Sequence, residues 1–170
     1  MGRSVLNIIT LNVRGLGSVA KRRKLFLWIK KQQPDIIFMQ ETHCTKSNVN
    51  NIDSHWLGPT FHSLSNSSRS RGVSILFNPK MNIKVIDEFY DNDGRKILLN
   101  LEYENRIITL VNVYAPNHEN ERNSFFCNTT NWVIDNMIPE SELIVGGDFN
   151  CCLRESDRST KTHLNDERFI

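Results

Sequence analysis

The sequence predicts a mixed α/β (α+β) sandwich built on β-sheets, and three observations predict it. A strand, a helix of about fifteen residues and a second strand open the chain, the pattern of a parallel βαβ unit. A series of strands follows between Gly72 and Tyr114 with turn-rich links, the pattern of antiparallel hairpins. A second long helix then leads into another apolar strand that ends in Gly146-Gly147-Asp148-Phe149-Asn150.

Each element has a local cause. Val5 to Asn12 is a β-branched, apolar-rich run and reads as a buried strand. Arg14-Gly15-Leu16-Gly17 breaks it, because two glycines suit a tight turn. Ser18 is placed to cap the helix that follows. Leu25, Trp28 and Ile29 recur at helical spacing and are expected to face inward, with Lys21, Arg22, Arg23, Lys24, Lys30 and Lys31 on the remaining positions. Pro34 ends the helix. Asp35 to Glu41 is a nearly unbroken apolar run, as in a strand buried on both faces. Residues 44–70 are polar and read as a long, partly ordered connection. Strands are expected at Gly72–Phe77, Ile83–Phe89, Lys96–Tyr103 and Arg106–Tyr114, separated by Asn78-Pro79, Asp91-Asn92-Asp93-Gly94 and Glu104-Asn105. Asn120 to Met137 reads as a helix with Phe125, Thr129, Trp132, Val133 and Met137 on one side. Leu143-Ile144-Val145 reads as a buried strand, and Asn165 onward as the start of a last helix.

Composition narrows the class. The 170-residue chain carries 21 Lys and Arg against 19 Asp and Glu, a net charge of +2. With 39% hydrophobic and 24% charged residues, 8 Gly and 5 Pro, it excludes collagenous and low-complexity chains and suits one domain, 1–170. No stretch approaches the ~20 apolar residues of a membrane span, so no membrane partner is expected. The N-terminus does not read as a signal peptide, and Cys44, Cys127, Cys151 and Cys152 lack metal-type spacing, which favours reduced thiols. The sequons at Asn66 and Asn128 therefore carry little weight.

Polar residues recur where strands end: Asn12, Glu41, Asn112 with Tyr114, and Asp148 with Asn150. A carboxylate closing an apolar run is poorly solvated and needs a partner, and a hard cation is one. Glu41 and Asp148 supply oxygen ligands that suit Mg²⁺. Taken singly, each residue is an ordinary strand-end or turn residue.

Thr10-Leu11-Asn12-Val13-Arg14-Gly15-Leu16, Gln40-Glu41-Thr42-His43, Asn112-Val113-Tyr114-Ala115-Pro116-Asn117 and Gly147-Asp148-Phe149-Asn150 resemble, in order and approximate spacing, the motifs of the endonuclease/exonuclease/phosphatase superfamily. Gln-Glu-Thr-His, Tyr-Ala-Pro-Asn, Asp157-Arg158-Ser159-Thr160 and the Lys-Arg-Arg-Lys run are most similar to the N-terminal apurinic-type endonuclease domain of non-LTR (LINE-type) retrotransposon polyproteins. The resemblance implies a DNase I-like four-layer αββα sandwich and Mg²⁺-dependent nicking of one DNA strand, with Mn²⁺ as a substitute. Glu41 and Asn12 would hold the metal. Asp148 would orient or deprotonate the attacking water, Asn150 would position it or the phosphate, and Tyr114 would contact the phosphate or help stabilise the leaving group. His43, Arg71, Arg154 and Arg158 are candidate DNA contacts, with Lys161 and Arg69 nearby. For His43 a support for Glu41 or a satisfied loop position reads as well. For the basic first helix, phosphate tracking and a solvated face both fit.

The resemblance also implies a closing Ser-Asp-His motif. The chain ends at Ile170 and its His163, in Lys161-Thr162-His163-Leu164, does not match, so a domain lacking its C-terminal part is expected. An exposed apolar sheet edge would follow, with aggregation as the consequence. The implied partners are DNA and, in the parent polyprotein, a downstream reverse transcriptase. Action in the nucleus, or in a cytoplasmic ribonucleoprotein before import, follows from that substrate. The alternatives are an abasic-site or exonuclease III-like repair nuclease, another phosphoesterase of the superfamily, or an inactive nucleic-acid-binding remnant.

Overall fold

A computed structural model describes residues 5–66 and 69–151. It contains two four-stranded sheets. The first is built from β1 (Ile8–Asn12), β2 (Ile36–Gln40), β3 (Thr60–Ser63) and β4 (Val73–Phe77), in the order β1-β2-β4-β3. The second runs β5 (Lys84–Tyr90), β6 (Lys96–Tyr103), β7 (Arg106–Tyr114), β8 (Glu142–Asp148). Helix α1 (Val19–Gln32) joins β1 to β2, α2 (Asn50–Asp53) lies before β3, and α3 (Glu119–Asn136) joins β7 to β8. Both helical crossovers connect parallel neighbours, β1 with β2 and β7 with β8, as right-length βαβ units require.

The sheets pack face to face. Ile36, Phe38, Val73, Ile75 and Phe77 from the first meet Ile97, Leu99, Leu101, Ile108 and Leu110 from the second. The alternate residues face outward. Ile37, Met39 and Leu76 pack under Phe26 and Ile29 of α1, and Leu98, Val111 and Val113 pack under Val133 of α3. Because strand side chains alternate, both faces of β2 and β4 are buried, and their continuous apolar runs follow. The result is the four-layer αββα arrangement that the resemblance implied.

Several expectations are corrected. The link between β4 and β5 is no hairpin: β4 pairs with β2 and β3, and the chain crosses to the other sheet through Asn78 and Pro79. The stretch read as a partly ordered connection contains α2 and β3. Its strand signal is weak because Thr60 and His62 are polar residues satisfied by Asp53. In α1 the deepest residues are Arg22, Phe26 and Ile29, with Leu25 and Trp28 only half-buried. Arg22 is buried because its Nη1 donates to the carbonyls of Leu16 (2.6 Å) and Gly17 (2.8 Å), fastening the β1–α1 loop to the helix. Strand β8 is not buried throughout. Leu143 and Val145 are 45% and 46% exposed, because α3 covers β6 and β7 but not the outer face of this strand. Arg154, Arg158, Cys152, Lys161, His163 and the helix expected from Asn165 lie outside the described residues.

Candidate active site

Strands β1, β2, β7 and β8 end at one edge of the sandwich, and each delivers a polar residue there. Asn12, Glu41, Tyr114 and Asp148 occupy the last position of a strand or the one after it. The parallel pairs β1–β2 and β7–β8 set this up: Asn12 registers with Gln40, and Tyr114 with Asp148. The two sheets then bring the pairs together.

The Asn12 side-chain amide joins the carboxylates. Its Nδ2 donates to Glu41 Oε1 at 2.8 Å and to Asp148 Oδ2 at 2.7 Å. Its Oδ1 accepts from the Arg14 N–H, which fixes the amide's orientation. Glu41 Oε1 also accepts from the Tyr114 hydroxyl at 2.8 Å. Asp148 Oδ1 accepts from the Asn150 N–H at 3.0 Å, and Asn150 Nδ2 donates to the Ala115 carbonyl. The sequence-expected residues Asn12, Glu41, Tyr114, Asp148 and Asn150 therefore form one connected cluster. Burial, the Glu41 hydrogen bond and the Glu41 charge push the Tyr114 phenol up to about 12, so at neutral pH it is a donor, not a phenolate.

His43 and Arg71 stand at the rim. His43 Nε2 is 3.8 Å from Glu41 Oε2, too long for a hydrogen bond. Burial holds its imidazole below the usual value, against the opposing pull of Glu41. The His43 ring lies against Gly15, where a Cβ would come within 2.7 Å of Nδ1. The Arg71 carbonyl accepts from the His43 N–H, and its Nη1 is 3.4 Å from Asp93 Oδ1.

The backbone around the cluster is strained. Arg14, Glu41, His43, Arg71 and Asn150 all adopt left-handed φ angles between 46° and 59°. For non-glycine residues that conformation costs on the order of 1–3 kcal/mol each and concentrates at functional sites. Beside Asp148, Gly147 (φ 142°) leaves no room for a Cβ against the Val113 carbonyl.

Asn112 is corrected from a strand-end polar residue to an inter-sheet tie. It is fully buried, accepts from Gln40 Nε2 (2.7 Å), and donates to the Met39 and Ser74 carbonyls. Sequence reasoning assigned no role to Gln40, Asn117 or Arg95. Asn117 lies 3.5 Å from the Tyr114 hydroxyl and closes the motif in which Tyr114 stands. Arg95 packs on the Tyr114 ring. The signal for Arg95 was its place, after the Gly94 turn and immediately before the strand that pairs with β7.

The donor set fits a divalent ion of the Mg²⁺ type. Glu41 and Asp148 share a single neutral amide donor, and Glu41 Oε2 has no hydrogen bond among the described residues. No group of three or more His, Cys, Asp or Glu is gathered among the described residues, so no thiolate or imidazole cage for a softer metal is present there. Mg²⁺ uses few carboxylates and completes its shell with water and phosphate.

Comparisons with known proteins agree with this geometry. The family model for the Endonuclease/Exonuclease/phosphatase family matches residues 9–165. A Xenopus laevis protein described as the transposon TX1 uncharacterized 149 kDa protein is 29% identical over 154 residues, 91% of this chain. The chain spans only 12% of that relative's length. Among solved structures, the Xenopus laevis APE2 catalytic domain aligns at a TM-score of 0.67 with 20% identity, covering 96% of this chain and 64% of that one. An AP endonuclease from Archaeoglobus fulgidus also gives 0.67 at 20% identity, over 90% and 60%. D. rerio TDP2, solved with a single-strand DNA product, gives 0.65 at 21% identity, over 86% and 61%. At these identities the structures establish a shared DNase I-like fold. The motif cluster, the two-sheet sandwich and the match over nearly the whole chain place this protein in the endonuclease/exonuclease/phosphatase family.

Proposed function

We propose that this domain hydrolyses phosphodiester bonds in DNA, nicking one strand with the aid of Mg²⁺, as part of a transposon-encoded protein. The observation that carries the reading is the Asn12 amide donating to Glu41 and Asp148, residues more than a hundred positions apart in sequence. Glu41, whose Oε1 is held by Asn12 and Tyr114, would hold the cation with its carboxylate. Bound there, Mg²⁺ would offset the negative charge developing on the phosphate. Asp148, oriented at both oxygens, accepts a proton from the attacking water. Asn150, pinned through its Nδ2, holds that water with its amide oxygen. Tyr114 stays protonated, donates to Glu41 Oε1 and would contact the phosphate or help stabilise the leaving group. His43 and Arg71, at the rim, meet the flanking DNA backbone, with Arg154 and Arg158 as further contacts. The similarity to a transposon protein supports the transposon origin; in this reading the nick would supply the primer end for a downstream reverse transcriptase, acting where chromosomal DNA is.

The test is relaxation of supercoiled plasmid by the domain within its full reading frame. Nicking is expected with Mg²⁺ or Mn²⁺, is lost with chelator, and falls by about 10³-fold or more on Glu41→Ala or Asp148→Ala. Nicking that survives both substitutions defeats the assignment. Parallel reactions with abasic duplex and inositol phosphates separate a DNA nickase from a repair nuclease or another phosphoesterase.

A further inference from the structure

We infer that Arg95 is a positioning residue for Tyr114, clamping the phenol so that its hydroxyl meets Glu41. Arg95 immediately precedes β6 and Tyr114 closes β7, and the two are joined in both directions. The Tyr114 N–H donates to the Arg95 carbonyl at 2.8 Å, and Arg95 Nη1 donates to the Tyr114 carbonyl at 3.0 Å. The guanidinium carbon also lies 5.2 Å from the centre of the Tyr114 ring, a cation–π distance. The phenol is thus held at its backbone and across its face by one side chain, and it ends 2.8 Å from Glu41 Oε1.

Arg95 is itself held. Its N–H donates to Asp91 Oδ1 at 2.8 Å, and the same oxygen accepts from the Lys96 N–H and from Ser63 Oγ. The adjoining Gly94 carbonyl accepts from the Gly72 N–H, which ties this turn to the loop that carries Arg71. The charges facing Arg95 are Arg71, Asp93 and Asp91, together with the Tyr114 phenol. Burial and Arg71 disfavour its charge, and Asp91 and Asp93 offset them, so the guanidinium is kept half-buried against Tyr114 at a cost that a surface arginine would not meet. A planar guanidinium does this with one group, since it can donate in its plane while its face covers a ring. A lysine ammonium can do only part of it.

The inference rests on Tyr114 and Glu41 belonging to the reacting end of the site, and its test separates the two readings. The full chain is prepared with ring-¹³C tyrosine. Tyr90, Tyr103 and Tyr114 are its three tyrosines, and Tyr114→Phe assigns the signal of interest. In Arg95→Met the Tyr114 ring resonance is expected to shift and broaden while those of Tyr90 and Tyr103 stay in place. Arg95→Lys should give an intermediate shift. In plasmid nicking by the domain within its full reading frame, Arg95→Met is expected to lower kcat by about 10- to 100-fold with KM within twofold, and Arg95→Lys to restore part of it. If Arg95→Met fails to fold, the graded shift in Arg95→Lys decides. An unchanged Tyr114 signal in a folded variant overturns the inference. So does a raised KM with a reduced salt dependence and unchanged kcat, which would make Arg95 a phosphate contact. The resonance needs no turnover, so a shifted signal in a chain that nicks nothing leaves the clamp standing and removes only the nuclease reading.

Discussion

Asn12 spends both ends of its amide inside the site, Nδ2 on two carboxylates and Oδ1 on the Arg14 N–H. It therefore sets the spacing of Glu41 and Asp148 before any cation arrives. Asn12→Ala removes that bridge and is expected to weaken Mn²⁺ binding by about 10- to 100-fold, read by electron paramagnetic resonance titration. A change under threefold would show that the carboxylates hold their places without it. Asn112 does a different task with the same chemistry. Asn112→Ala leaves Gln40 Nε2 and the Met39 and Ser74 carbonyls short of partners in the buried layer between the sheets. The expected loss is about 2 kcal/mol or more in urea denaturation. The strand alternation that places Asn112 on the same face as Leu110 and Tyr114 was legible in the sequence. Its partners were not, because they come from the opposite sheet, and periodicity within one strand says nothing about what faces it.

Bounds hold where the pattern is strongest, whereas β1 begins at Ile8 rather than Val5, which is exposed, and is at most half-buried because it ends its sheet. β6 and β7 span the residues the alternation marks, and Ser18 caps α1 by accepting from the Lys21 N–H. β3 was illegible because it is an edge strand whose four-residue stretch carries one large apolar residue, Phe61, among polar ones. What holds it is a chain of polar contacts. Asp53 Oδ1 meets His62 Nε2 at 3.0 Å, and His62 Nδ1 meets Ser74 Oγ at 2.7 Å, linking α2, β3 and β4. Burial pushes the His62 imidazole below its usual value of 6.5, and the Asp53 carboxylate only partly opposes this. The unfolded chain therefore binds the proton first. The stability that neutral His62 supports is intact above pH 6.5 and is lost as pH falls through the lower folded value. Urea midpoints measured from pH 7.5 down to about 5 should decline, and His62→Gln should flatten that slope. A slope unchanged by the substitution would place the titration elsewhere.

The two sheets divide the labour of the molecule. The inner layer joins them with apolar side chains, and the residues at one edge of that layer stand in a cluster only because β1, β2, β7 and β8 all end there. The motifs could be read from the sequence one at a time. Their convergence is a property of sheet order, since Asn12 and Asp148 meet through the packing of one sheet on the other and not through any local pattern. The same order leaves β8 at an edge of its sheet, with Leu143 and Val145 on its outer face and Phe149 just beyond, all more than a third exposed. Among the described residues only α3 packs on that side, and it covers β6 and β7. An apolar edge strand of this kind is a template for pairing with another chain. The chain as given should therefore associate as its concentration rises, visible as an earlier elution in size-exclusion chromatography. Leu143→Lys combined with Val145→Lys should abolish the shift. If the face is as open as described, each change should alter unfolding free energy by less than about 0.5 kcal/mol. A double variant that unfolds would instead show that this face is covered, because only a buried site makes two lysines so costly.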